Sequence, residues 1–236
     1  MLFSVHSKVL LLAVMFAANF HGGTAASAQD GQRGVRGVAP AARVSACPPH
    51  RGSNIPRASG PDATPAQRAE MLQLMSRSPT GRTIVGQFSQ SMTQAAAKRQ
   101  NTTRVSYEPK HGTQVSFSMA DGRIYLWYPG NDVVLPGEWR ACEDRFSMTQ
   151  PSTGTVMFPY GKVCFRYNSS TFNPVTGAGP GEWECAAASQ LDARLVEQRA
   201  GDIFGLAKAR VVPFKLPKDK TTVADLLARM PKDRRP

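Results

Sequence analysis

Two carboxylates occupy matching surroundings in this sequence. The tetrapeptide Pro136-Gly137-Glu138-Trp139 recurs as Pro180-Gly181-Glu182-Trp183, and a cysteine follows each copy, Cys142 or Cys185. Glycoside hydrolysis needs two carboxyl groups ~5–10 Å apart, one to protonate the leaving oxygen and one to act as base or nucleophile. Glu138 and Glu182 are therefore the candidate catalytic pair of a glycan hydrolase. Glutamates at loop edges more often serve solubility, so hydrolysis is the alternative expectation and a non-enzymatic module the leading one. The aromatic residues nearby, Trp127, Tyr128, Trp139 and Trp183, suit stacking on sugar rings, although on strands such residues are more often core.

Other catalytic chemistry finds less support. His50 lies in a Gly- and Pro-rich stretch, and His111 stands between Lys110 and Gly112 in a chain without G-x-S-x-G, so His111 reads as a solvated loop residue. There is no H-E-x-x-H, phosphate-binding loop, G-x-G-x-x-G or EF-hand loop. No cofactor is expected. Asp121-Gly122 and Asn131-Asp132 read as turn residues before metal ligands.

The four cysteines, Cys47, Cys142, Cys164 and Cys185, allow three connectivities. No C-x-x-C occurs, and a single histidine falls in the part expected to fold, so disulfides are expected and a metal site is not. Cys164 and Cys185 each sit in an expected strand, and a bond between them would close roughly 20 residues, worth ~3 kcal/mol in the chain-entropy model. Cys142 is then left for Cys47, which a flexible linker would let reach it. Pairing Cys142 with Cys164 or Cys185 instead stays open and would leave Cys47 unpaired.

The elements that must position these groups begin after a targeting segment. Lys8 is the one charged residue before Asp30, residues 9–20 are an apolar run, and Ala26-Ser27-Ala28 is an A-x-A cleavage pattern. Residues 1–28 are thus expected as a signal peptide cleaved near Ala28, leaving an exported chain, periplasmic or secreted. The run is about half what a membrane span requires, so no transmembrane segment is expected in the mature chain. Residues 29–65 are rich in Gly and Pro with almost no large apolar side chain, which predicts a disordered linker.

Residues 66–216 are expected as a single β-rich domain. Thr64 can cap a helix that Pro65 begins, with Met71, Leu74 and Met75 on one face and Pro79-Thr80-Gly81 as its stop. From Thr113 the pattern becomes short strands. Val115, Phe117 and Met119 alternate, Asp121-Gly122 makes a hairpin turn, and residues 123–128 return. Strands are expected over 133–143, interrupted at Pro136-Gly137, then over 155–160, 162–167 and 209–216. The two Pro-Gly-Glu-Trp copies would form two similar hairpin corners. Every Trp and Tyr lies between Tyr107 and Trp183, which fits an aromatic sheet interior. The expected fold is mainly β (α+β): a small antiparallel β-meander or part-barrel with an N-terminal helix and disordered basic ends. Residues 217–236 are expected as a basic tail with a short helix over 221–230.

Charge narrows the partners. Lys and Arg total 29 against 17 Asp and Glu, a formal net charge of +12. Residues 29–65 carry five arginines against two aspartates, and residues 208–236 carry nine basic against three acidic groups. A nucleic-acid-binding domain shows a basic face on its folded part, whereas here the excess lies in the two ends. An anionic envelope component or a protein partner is therefore expected, and nucleic acid is not.

The order Asp121-Gly-Arg-Ile-Tyr-Leu-Trp-Tyr-Pro-Gly130, Pro136-Gly-Glu-Trp-Arg-Ala-Cys142, Gly161-Lys-Val-Cys-Phe-Arg-Tyr167 and Gly181-Glu-Trp-Glu-Cys185 resembles a group of small exported bacterial proteins. These carry a β-rich domain of unknown function with a G-x-W corner, a Cys-Phe/Tyr-x-Tyr strand and a following cysteine. The likeness covers roughly residues 81–216. It implies an exported β-rich domain with no established activity, with Cys164, Phe165 and Tyr167 on the strand motif and Cys185 as the later cysteine. Cys142, the long linker and the basic C-terminus depart from that pattern.

Overall fold

The structure, a computed structural model, describes residues 46–50, 60–150, 154–168 and 171–232. All belong to the compact unit Ala41–Pro236. The expected signal peptide and most of the expected linker lie outside the described residues.

Three short helices precede the sheet: α1 (Pro65–Ser76), α2 (Pro79–Gln87) and α3 (Met92–Ala97). Thr64 caps α1, its hydroxyl accepting from the Gln67 N–H while the Gln67 side chain accepts from the Thr64 N–H. Only Met71 is buried along α1, and Leu74 is 44% exposed, so the expected apolar face shrinks to Met71 and the half-buried Met75. Pro79 does not simply stop this helix; it starts α2, where Ser78 caps the Gly81 N–H. Proline lacks the N–H that a first-turn position would leave unpaired anyway, so one residue closes one helix and opens the next.

Seven strands form one antiparallel sheet curled into a half-barrel, β1 (Thr102–Glu108), β2 (Gly112–Ser118), β3 (Arg123–Trp127), β4 (Leu135–Gln150), β5 (Gly154–Tyr167), β6 (Glu184–Ala187) and β7 (Leu195–Ala200), with α4 (Ala188–Ala193) between the last two. Their order is β6-β5-β4-β3-β2-β1-β7, a meander whose last strand returns to pair with the first. Asp121-Gly122 turns β2 into β3, with Gly122 at φ +93°, a left-handed conformation that glycine adopts without strain.

Two expected boundaries disappear. Pro136 and Gly137 are paired inside β4, opposite Tyr125 and Ile124 of β3. Gly161 is not a turn either, because β5 runs straight through it opposite Glu143. Its N–H donates to the Gln90 carbonyl at 2.6 Å, and a Cβ there would come within 2.5 Å of the Ser91 carbonyl. The α2–α3 connection thus crosses β5 where the strand has no side chain.

Parts of the stretch expected to be disordered are held against this sheet. Ala46 pairs with Glu143 and Asp62 with Met157. Residues 209–216 form no strand; their one β-bridge is Val211 with Val133, outside the named strands, and they meet the sheet through side-chain packing and the Phe214 carbonyl. The C-terminal stretch is no tail: α5 (Val223–Arg229), capped by Thr222, buries Val223 and Leu226, and Met230 follows it into the core. These pack with Leu206, Val212 and Leu216 around the fully buried Trp127 and against Val105 and Val115. On the other sheet face Ile124, Trp139 and Val163 pack with Ala95 and Ala188 from α3 and from α4. Among the described residues no helix is long and apolar enough to cross a membrane.

Candidate functional site

Pairing between β4 and β5 sets Glu138 opposite Arg166, Arg140 opposite Cys164, and Cys142 opposite Lys162. Side chains alternate along a strand, so these six residues share one face of the hairpin. Cys185 of β6 sits directly opposite Cys164. Two disulfides result, Cys164–Cys185 and Cys47–Cys142. Cys47, Cys142 and Cys164 place their sulfurs within 4.8 Å of one another, but each sulfur is committed to a disulfide bond and is not a thiolate donor in this state.

Trp183 packs over the two buried cysteines, Cys142 and Cys164, and is itself 8% exposed. Two guanidiniums cover its ring, Arg140 at 4.1 Å and Arg166 at 4.8 Å from the centroid. Aromatic faces attract cations, and planar guanidiniums stack on them well. Arg166 Nη2 also donates to both oxygens of Glu138 at 2.7 Å. Arg140 is exposed and has no carboxylate at ion-pair distance among the described residues.

Beside this stack lies an open recess of about 320 Å³, lined by Pro136, Gly137, Glu138, Arg166, Tyr167, Asn168 and Gly181. Gly137 keeps its floor low, because a Cβ there would meet the Arg166 carbonyl at 2.5 Å and the Tyr167 ring at 2.7 Å. Both Pro-Gly-Glu-Trp copies contribute, but in different conformations. The first is strand, while the second is the end of a loop, where Glu182 turns back to accept the Gly179 N–H at 2.9 Å. They are not two similar corners. Glu138 lines the recess on Arg166, while Glu182, next to the recess residue Gly181, turns its carboxylate to the Gly179 N–H. Neither lies in the apolar surroundings that a glycosidase acid uses.

The aromatic residues expected to stack on sugars are placed otherwise. Trp127 is fully buried and donates to the Phe214 carbonyl at 3.0 Å. Trp139 is 5% exposed and donates to the Met119 carbonyl at 2.9 Å. Trp183 has its face occupied by the two arginines. Tyr128 is half-buried and bonds His111. None of the three indoles presents a free face to a ligand.

His111 is not a solvated loop residue. It is 8% exposed, its Nδ1 lies 2.9 Å from the Tyr128 hydroxyl, and its Nε2 is 3.8 Å from Glu108. Burial pushes the imidazole below its ordinary pKa, against the opposing pull of Glu108, and burial likewise raises the Tyr128 phenol. The signal that places His111 inside is Gly112, whose φ of +82° makes the tight β1–β2 turn and whose Cα packs on Lys218.

A second polar cluster was invisible in sequence. Arg104, Lys98 and Gln90 donate to the Asp192 carboxylate at 2.5–3.0 Å, and Arg99 approaches it at 4.0 Å. Burial, aided by Arg104, lowers Arg99 to about 9. Burial alone would raise Asp192, but hydrogen bonds from Gln90, Lys98 and Arg104 outweigh it and hold the carboxyl below its ordinary value. These charges tie the α3 end, β1 and α4 together across 88–102 positions of sequence, and no local pattern announces such a network.

No known protein family, curated protein or solved structure matches this chain.

Proposed function

We propose that the protein is an exported, non-enzymatic module that binds an anionic component of the cell envelope at the Glu138–Arg166 recess and the adjoining Arg140 guanidinium. The observation that carries this reading is the Arg140–Trp183–Arg166 stack. It holds two guanidiniums against one indole on a disulfide-tied face, and among the described residues no carboxylate lies at ion-pair distance from Arg140. Cations ordered before a ligand arrives lose less entropy on binding it. The N-terminal targeting pattern, the two disulfides and the net charge of +12 support the same reading, as do the short motifs that resemble exported bacterial proteins.

Co-sedimentation and titration of the mature chain, residues 29–236, test it. The probes are an acidic polysaccharide, vesicles containing phosphatidylglycerol, zwitterionic vesicles and a short DNA duplex, each at low and moderate salt. Binding to one anionic envelope probe that weakens with Arg140→Ala is the expected result. Binding is expected to weaken but persist at moderate salt, because contact ion pairs are shorter than the Debye length of about 8–10 Å. Absence of salt-dependent association with every anionic envelope probe would sink it.

A further inference from the structure

The two disulfides touch. Cys142 and Cys164 are both fully buried, they occupy diagonal positions across β4 and β5, and their sulfurs lie 3.5 Å apart. Their bonded partners, Cys47 and Cys185, are the partly exposed members of the cluster. We propose that the four cysteines form one exchange site for an external dithiol, in which opening either native bond is relayed through an inner Cys142–Cys164 bond to the other outer cysteine.

The chemistry follows from which sulfurs can be reached. A thiolate of the dithiol attacks the Cys47 sulfur, forms a mixed disulfide there and expels Cys142 as thiolate. Thiol–disulfide exchange requires a thiolate in contact with a disulfide sulfur, and Cys142 is already against Cys164. It attacks Cys164, forms Cys142–Cys164 and expels Cys185 as thiolate. The second thiol of the dithiol then resolves the mixed disulfide at Cys47. The dithiol ends oxidised, Cys47 and Cys185 end as thiols that take up the two protons, and one protein disulfide is retained. Entry at Cys185 gives the same product by the mirror sequence. Diagonal strand neighbours stand slightly farther apart than a disulfide prefers, so the new bond requires a small closing of the hairpin. The product would release Cys47 from the sheet and β6 from its covalent tie, while the β4–β5 hairpin stays joined.

Limited reduction of the oxidised full chain with dithiothreitol, acid quenching, alkylation and non-reducing peptide mapping tests the relay. The expected one-disulfide species has Cys142 joined to Cys164 and carries label on Cys47 and Cys185. One-disulfide species holding only a native bond, or direct passage to the fully reduced chain, would overturn it. The Cys47→Ser/Cys185→Ser double variant gives a second readout. After oxidation it should titrate with no free thiol as a monomer, and two free thiols per chain would count against the relay.

Discussion

Two tryptophans show that the sheet is held together differently at its two ends. Trp127 lies at the centre of an apolar core, fully buried between β1–β3 and the C-terminal segment, with Phe204 and Phe214 edge-on to it. Trp183 lies at the other end, between paired disulfides on one side and two guanidiniums on the other. The first end depends on packing and has no surface to spare. Around Trp183 the buried cluster is made of cysteines, so covalent links tie β4, β5 and β6 on that face while Arg140, Glu138 and Arg166 beside it stay charged. A charged, ordered surface is what a polar ligand can use, and placing it away from the main core lets it vary without unfolding the domain.

The largest expected effect lies at the packed end. Trp127→Ala removes the largest fully buried side chain and should cost about 3–5 kcal/mol, read as a fall in the denaturant midpoint. Trp183→Ala should cost clearly less and should weaken ligand binding instead. Equal losses of stability in the two variants would erase the distinction between the ends.

Next comes the covalent tie. Replacing Cys164 and Cys185 together by serine opens a link spanning 21 residues and should destabilise the domain by about 3 kcal/mol. Thermal unfolding without reductant checks this, the variant melting below wild type; reductant should lower both midpoints, because Cys47–Cys142, spanning 95 residues, remains in the variant.

A smaller effect should appear with pH at the packed end. His111 sits among Glu108, Tyr128, Arg194 and Glu184, and burial lowers its pKa in the folded chain. As pH falls through about 6.5 the unfolded chain takes up this proton while the folded chain resists it. The unfolded state then binds more protons, so this contribution to stability is complete above that pH and is lost as the pH falls toward the lower folded value. His111→Gln should flatten that part of the midpoint-against-pH curve.

The smallest effect on stability, and the most telling about function, is at Glu138. Glu138→Gln removes an exposed ion pair with Arg166 worth at most about 1 kcal/mol. It should tighten binding of an anionic probe by freeing Arg166. In a hydrolase that uses Glu138 and Glu182, Glu138→Gln or Glu182→Gln would abolish turnover instead, as release of reducing ends from glycan would show.

Much of this architecture was legible wherever the cause is local. Thr64-Pro65 writes a capped helix start, Asp121-Gly122 writes a hairpin, and Val115 and Phe117 alternate with polar residues as a strand with one apolar face does. What escaped depends on distant partners. β1 hides because Arg104, a charged residue in mid-strand, is buried on Asp192 and Gln198 from elements 88 and 94 positions away. Gly161 looks like a turn because the reason for it, the crossing α2–α3 connection, lies elsewhere in sequence. Residues 217–236 look like a basic tail with a short helix because their lysines are plain to see; the helix is there, but Val223, Leu226 and Met230 show their purpose only against Trp127. At the candidate site the residue types were visible, but not the arrangement. The repeated tetrapeptide pointed to Glu138 and Glu182 as equals, and pairing with Arg166 in one copy and a loop turn in the other separates them.

The most direct test of the binding surface is equilibrium titration of an acidic polysaccharide against wild type and the Arg140→Ala/Arg166→Ala double variant at moderate salt. If the stacked guanidiniums hold the ligand, the dissociation constant rises by about tenfold or more, at least ~1.4 kcal/mol, with the thermal midpoint nearly unchanged. An unchanged dissociation constant in a folded double variant would contradict the assignment and leave the remaining basic surface as the source of any binding.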